Sequence, residues 1–190
     1  MQMYGNKDCS IVLLQKEVGI DEYIEACIDI KRVLKFCEQC QNYGSKWSCP
    51  PFIFSSKDFW FSYKTLLLYG KKIVLPPELL DIRFEKDALT AWYREILKPI
   101  KQGILSELLV MERENPGSMV LSAGSCEQCD LCERAEGLPC KKPEVMRYSL
   151  ESLGADVAHT LELYLGETLQ WAMNGRLPSQ FLLLGGLLKR

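Results

Sequence analysis

The sequence contains a single histidine, His159, and that scarcity removes much of the usual repertoire of catalysis and metal binding. No H-E-x-x-H, P-loop, G-x-S-x-G or strand-borne G-x-G-x-x-G is present. A cysteine nucleophile paired with histidine would have to use His159, which falls off the apolar stripe of its segment and reads as a solvated helical residue. No apolar run approaches the roughly 20 residues needed to cross a bilayer, and Met1 to Ser10 lacks the basic-then-apolar order of a secretory leader. The expected location is therefore cytoplasmic, with no membrane partner. Neither sign of charge is in excess: 23 Lys and Arg against 25 Asp and Glu leave a net charge of -2. Such a balance offers nucleic acid no general attraction, so none is expected as a partner. There is no low-complexity tract, no linker, and no repeat apart from two cysteine groups. With 190 residues, 47% of them hydrophobic, the chain can bury a core without disulfides, and residues 1–190 read as one domain.

Cysteine is abundant. Seven of the nine fall into two tight groups separated by a long cysteine-free stretch. In a reducing compartment closely spaced thiols bind metal or do redox chemistry more often than they staple loops, and an odd total suits a fully paired framework poorly. The second group, GSCEQCDLCERAEGLPC, places Cys126, Cys129, Cys132 and Cys140 in a C-x2-C-x2-C-x7-C pattern. Three thiolates two residues apart let one loop wrap a cubane, with a later cysteine meeting the fourth iron. Tetrahedral zinc holds its thiolates only about 3.8 Å apart and usually takes them as two separated pairs, so an iron-sulfur cluster, [4Fe-4S], is the first expectation and zinc the alternative. The bacterial ferredoxin run differs: there the last cysteine follows after three residues and precedes proline, whereas here Pro139 comes before Cys140.

The first group, CEQCQNYGSKWSCPP, offers Cys37, Cys40 and Cys49 as C-x2-C-x8-C. A fourth ligand is missing from the loop. Cys9, Cys27, a carboxylate, water, a substrate or a residue of the second group can each fill that place. Three cysteine ligands on a cluster would leave one iron open to exogenous chemistry, which makes an enzyme one reading of this loop. Cys27 lies on an apolar helical stripe and Cys9 at the start of a strand, where a thiol behaves as a small hydrophobe. Tyr43, Trp47 and Phe52 flank the loop and either shield a cluster or simply pack. Lys35, Lys46, Arg134, Lys141, Lys142 and Arg147 surround the cysteines, as a solvated basic rim or as cations that favour a reduced cluster and dock an acidic redox protein.

The coarse pattern is strand, helix, strand, helix, strand, helix, strand, an α/β or α+β sandwich with a sheet of about four strands. Ser10 to Val18 reads as a strand, followed by a helix capped by Asp21 with Tyr23, Cys27, Ile30 and Leu34 on one stripe. Strand character runs on both sides of Gly70 and is firmest at Lys72 to Leu75. Asp87 to Arg113 keeps a helical period that Pro99 should kink or split. Ser118 to Ala123 is a short strand feeding Cys126. Ser149 caps a helix carrying Leu150, Leu153, Val157, Leu161 and Tyr164. Phe181 to Leu188 is a buried strand in which Gly185 and Gly186 signal a bulge or a close backbone approach.

Taken together, CEQCQNYGSKWSCPPF and LSAGSCEQCDLCERAEGLPCKKPEVMRYSLESLGADV resemble a family of prokaryotic proteins described as predicted metal-binding. The likeness covers most of the chain. Its specific parts are Y-G-x-x-W-S-C-P-P and the stretch from Cys126 through Pro143 to Ser149, Glu151, Gly154 and Val157. The resemblance implies cysteine-bound metal, iron-sulfur in kind, and occurrence in anaerobes; it implies no reaction. The resulting expectation is a small iron-sulfur protein exchanging electrons with an anaerobic redox enzyme. The alternatives are a zinc-stabilised binding or scaffold module and an enzyme with an open iron at the first group.

Overall fold

A computed structural model describes residues 9–190. The sequence reading of Met1 to Ser10 therefore falls, apart from Cys9 and Ser10, outside the described residues. Four long or short strands form one antiparallel sheet in the order β1-β2-β4-β3, namely β1 (Ser10–Gly19), β2 (Thr65–Val74), β3 (Met119–Leu121) and β4 (Gln180–Lys189). The helices are α1 (Ile20–Cys27), α2 (Ile30–Glu38), α3 (Ser56–Phe61), α4 (Pro77–Leu80), α5 (Lys86–Glu114) and α6 (Val157–Thr160). Helices and an antiparallel sheet make this an α+β fold, as the sequence pattern implies. No helix among the described residues is long and apolar enough to cross a membrane.

The central strands are apolar on both faces because both faces are covered. On one side Leu66 and Leu68 of β2 and Leu184 and Leu188 of β4 pack with Tyr23, Cys27, Trp60, Leu150, Leu153 and Leu161. The alternate residues of the same strands, Tyr69, Ile73 and Leu187, face the stripe Trp92, Ile96, Ile100, Ile104 and Leu108 of α5. Close approach is met by glycine. A Cβ on Gly70 would lie 2.4 Å from the Leu183 oxygen, and one on Gly185 2.6 Å from the Leu121 oxygen. The β2–β4 register runs unbroken through Gly185 and Gly186, so these residues mark close approach and not a bulge.

Four expectations are corrected. The helix after β1 is two helices. Ile28 is extended and bridges Ala155, and the Asp29 side chain accepts from the Arg32 amide to begin α2. Asp21 caps nothing: Gly19 stands at the N-cap position. Of the kink or split expected at Pro99, the split is overturned: the helix continues from Lys86 to Glu114, with the buried stripe on both sides of the proline supplying the packing that offsets its lost hydrogen bond. The helix expected from Ser149 is broken: a 3-10 turn (Glu151–Leu153) ends at left-handed Gly154, Asp156 caps α6, and a π-turn (Leu161–Leu165) follows.

Candidate metal centre

Cys37 stands in the last turn of α2 and the other cysteines of the two groups on irregular loops, each group launched by a regular element. The last turn of α2 presents Cys37, and the turn beyond it Cys40; their backbones are joined by the Cys40 amide donating to the Cys37 oxygen at 3.0 Å. The loop then closes on itself, with the Gly44 amide donating to the Pro50 oxygen at 2.8 Å and left-handed φ of 66° at Gly44. Cys49 is buried within it. The second group begins two residues after Gly124, where the chain leaves β3. A 3-10 turn (Glu133–Glu136) separates Cys132 from Cys140 and ends at left-handed Gly137.

The loops interlock. The Lys46 ammonium donates to the Cys126 oxygen at 3.0 Å, the Trp47 indole to the Leu138 oxygen at 3.0 Å, and the Cys126 amide to the Ser48 hydroxyl at 3.0 Å. In the reverse direction Arg134 reaches from the second loop into the first. Its guanidinium donates to the oxygens of Lys46 (2.8 Å), Cys49 and Pro51 (2.5 Å) and lies 5.3 Å from the Trp47 ring centroid. Lys101 of α5 ties down the start of the second loop by donating to the Ser125 oxygen at 3.3 Å and to Glu127 at 2.5 Å. Lys142 donates to the Gln128 oxygen at 2.8 Å, and Lys141 pairs with Glu133. The basic residues near the cysteines are thus mostly committed to holding the loops in shape. Lys35, Lys141 and Lys142 are nevertheless exposed, so the solvated-rim reading holds for part of the set.

The thiols assemble as two sets. Cys126, Cys129, Cys132 and Cys140 line one small cavity, closed by Lys46, Trp47 and Ser48 of the first loop. Burial first, then the neighbouring Cys140, Cys129 and Cys132 charges, push the Cys126 thiol up. In the other set, burial and then the charges of Cys49, Glu151 and Cys40 push Cys37 up to about 11. Clustered thiols that repel one another's ionisation are soft donors poised to trade protons for a cation. The donor chemistry suits iron-sulfur or zinc. Among the described residues no three His, Cys, Asp or Glu side chains close on the spacing that holds a single ion.

The first set opens on a second feature. Cys37 and Cys40 lie on the wall of a cleft of about 1370 Å³ bounded by α2, α5 and β4. It exists because β3 pairs only with Leu188 to Gly186 of β4, leaving Phe181 to Leu184 without a strand partner on that side. Of the other thiols, Cys27 is in the core and Cys9 packs against the α5 cluster. His159 is exposed, as its helical position implies.

For four contributors to the site the sequence reading names the residue or its motif and misses what it does. Ser48 is wholly buried, Arg134 is a clamp, and Glu151 and Gly154 belong to the turn that docks on α2. Polar and charged residues inside a loop give no periodic signal: Arg134 is marked only by its charge beside the cysteines, and Ser48, Glu151 and Gly154 only by lying in the quoted family motifs.

No curated protein and no solved structure matches the chain. The model of a family described as predicted metal-binding protein (DUF2284) matches residues 24–188, from α1 to the end of β4 and across both cysteine groups. The chain belongs to that predicted metal-binding family.

Proposed function

We propose that this is a cytoplasmic iron-sulfur protein that passes electrons to or from a redox protein partner, with Cys126, Cys129, Cys132 and Cys140 as ligands of a [4Fe-4S] cluster and Cys37, Cys40 and Cys49 serving a second centre. The observation that carries the reading is the shared cavity of the four thiols, lined also by the Lys46 and Lys142 side chains. A cubane with four thiolates is an anion in both of its common states, and nearby ammonium groups favour it. The bound cluster supplies the one-electron chemistry. The protein's own residues hold it, screen it and present it: Trp47 covers one side, while Leu131, 84% exposed between two of the cysteines, offers an apolar contact at the rim.

The test is anaerobic purification followed by iron, zinc and acid-labile sulfide analysis, then voltammetry. Iron and sulfide in equal amounts, at least about four of each per chain, and a reversible one-electron wave are expected. Stoichiometric zinc without sulfide overturns the proposal, and a cluster that cannot be reduced and reoxidised intact overturns its carrier role.

A further inference from the structure

The first cysteine group has three thiols, and a four-iron centre there needs a fourth donor. Cys27 and Cys9 are occupied in hydrophobic clusters and do not line the cleft that Cys37 and Cys40 share. The second group's thiols ring their own cavity. Glu151 remains.

Its Oε2 is shut off from solvent and has no hydrogen-bond partner. Glu151 as a whole residue retains some exposure, but the carboxylate end is the part that is covered. Buried carboxylate oxygens are ordinarily satisfied, and an orphaned one in an otherwise well-bonded turn asks for an absent cation. The turn is well bonded. Ser149 and Ser152 exchange backbone and hydroxyl hydrogen bonds at 2.9 and 3.2 Å. The Trp60 indole donates to the Leu153 oxygen and the Asp29 amide to the Gly154 oxygen, each at 3.0 Å. Gly154, at φ 94°, lets Ile30 of α2 approach so closely that a Cβ would stand 2.6 Å from it. Glu151 is thereby carried to the helix that bears Cys37, and the residue lines the same cleft as Cys37 and Cys40. The carboxyl accepts hydrogen bonds from its own backbone amide and from the Ser149 hydroxyl, so Oε2 alone is unmatched; Lys101, a cation whose weaker field also reaches Glu151, is already bound to Glu127.

We propose that Glu151 is the fourth protein ligand of the centre held by Cys37, Cys40 and Cys49, and that the iron it binds faces the large cleft. The inference rests on the iron-sulfur reading above. A carboxylate is a harder and more exchangeable ligand for iron than a thiolate. One iron of that centre is therefore distinct from the other three and from all four of the second centre. Such an iron can change ligands without loss of the cluster, and the cleft gives a small molecule room to reach it.

The test uses the full chain, isolated or reconstituted without oxygen with 57Fe. Mössbauer spectra of the unaltered protein should show one iron subsite per chain with the larger isomer shift of oxygen ligation. Glu151→Gln keeps the shape and loses the charge; it should cost about one iron per chain and produce the EPR signal of an oxidised three-iron cluster, while the Cys126 centre persists. Glu151→Cys should restore the count and abolish the oxygen-type subsite. Full loading and an unchanged spectrum in Glu151→Gln overturn the proposal, as does a uniform all-thiolate spectrum of the unaltered protein, which needs no variant to fold. Iron and sulfide confined to the second group overturn this inference alone. Their absence from the unaltered protein overturns the iron-sulfur reading with it.

Discussion

The Ser48 hydroxyl accepts the Cys126 amide at 3.0 Å and lies 3.8 Å from the Cys49 sulfur, so one wholly buried side chain touches both cysteine groups. Because its oxygen is accepting from Cys126, its own proton is available to the Cys49 sulfur. Ser48→Ala leaves a covered amide unpaired and removes a donor from a proposed ligand. The expected loss of stability is about 1–3 kcal/mol, measured by denaturant unfolding. The potential of the first centre should also move to more negative values, since a hydrogen bond to a ligating sulfur favours the reduced state. Unchanged stability and potential would show the bridge to be incidental.

Arg134 joins the loops by a planar fork: three carbonyls of residues 46–51 receive its protons while its face rests on Trp47. A lysine ammonium carries the same charge but cannot address those carbonyls and stack at once. Arg134→Lys is therefore expected to behave much like Arg134→Gln, with faster amide exchange across residues 44–51 and faster release of metal from both groups. A lysine variant with native exchange rates would mean that charge, and not the fork, holds the loops.

How far the sequence discloses this structure depends on whether the signal is periodic. The four strands, the α5 stripe and the apolar faces of β2 and β4 are legible because alternation and the 3.6-residue repeat report burial directly. The two thiol groups are legible because their tight spacing is written in the sequence itself. The break at Asp29 and the break at Gly154 are not, since each interrupts an apolar stripe that continues in register on the far side. They occur together: Ile28 bridges Ala155, and the Asp156 amide donates to the Cys27 oxygen at 2.8 Å. Backbone pairing between segments about 127 residues apart replaces the helical bonds, and no local pattern encodes that. The burial of Glu151, a residue that the family motif contains, is illegible for the same reason. No local pattern says that the turn folds this acid inward.

Gly154 and Gly137 separate strain from contact. Both have left-handed backbones, with φ of 94° and 71°, but a Cβ at Gly137 would meet nothing within 4 Å whereas one at Gly154 would strike Ile30. Gly137→Ala should cost about 1–3 kcal/mol from backbone strain alone. Gly154→Ala should add a comparable overpacking cost and, by pushing the turn off α2, deplete metal at the first group while sparing the second. Equal melting temperatures for the two variants would contradict the contact.

Cys129→Ser and Cys27→Ala make a matched pair of thiol deletions. Cys129 lines the cavity of the second set, and its loss should remove most of the iron bound there. Cys27 is 2% exposed among Tyr23, Leu150 and Leu161, so its removal should lower stability and leave metal content unchanged. Iron analysis on both proteins decides the matter, and metal loss in Cys27→Ala would place that thiol at a centre.

Asp156 gives the docking of this turn a pH dependence with a defined sign. Burial raises its carboxyl, but donation from the His159 amide and the Arg32 guanidinium outweighs that and holds it below its ordinary value of 3.8. The folded state thus binds the Asp156 proton less readily than the unfolded chain, and the contribution to stability is complete above the unfolded value. It is lost as pH falls through 3.8 and on to the lower folded value. Because Asp156 also caps α6, Asp156→Ala should cost about 1–2 kcal/mol at neutral pH, whereas Asp156→Asn keeps much of the cap and loses the ion pair to a half-exposed Arg32. Metal-free protein suits the measurement, since thiolate ligands would add an acid sensitivity of their own. Unfolding curves collected from pH 7 down to about pH 3 should show a steeper fall for the unaltered chain than for Asp156→Asn; parallel curves would mean that Arg32 and Asp156 do not pair in solution.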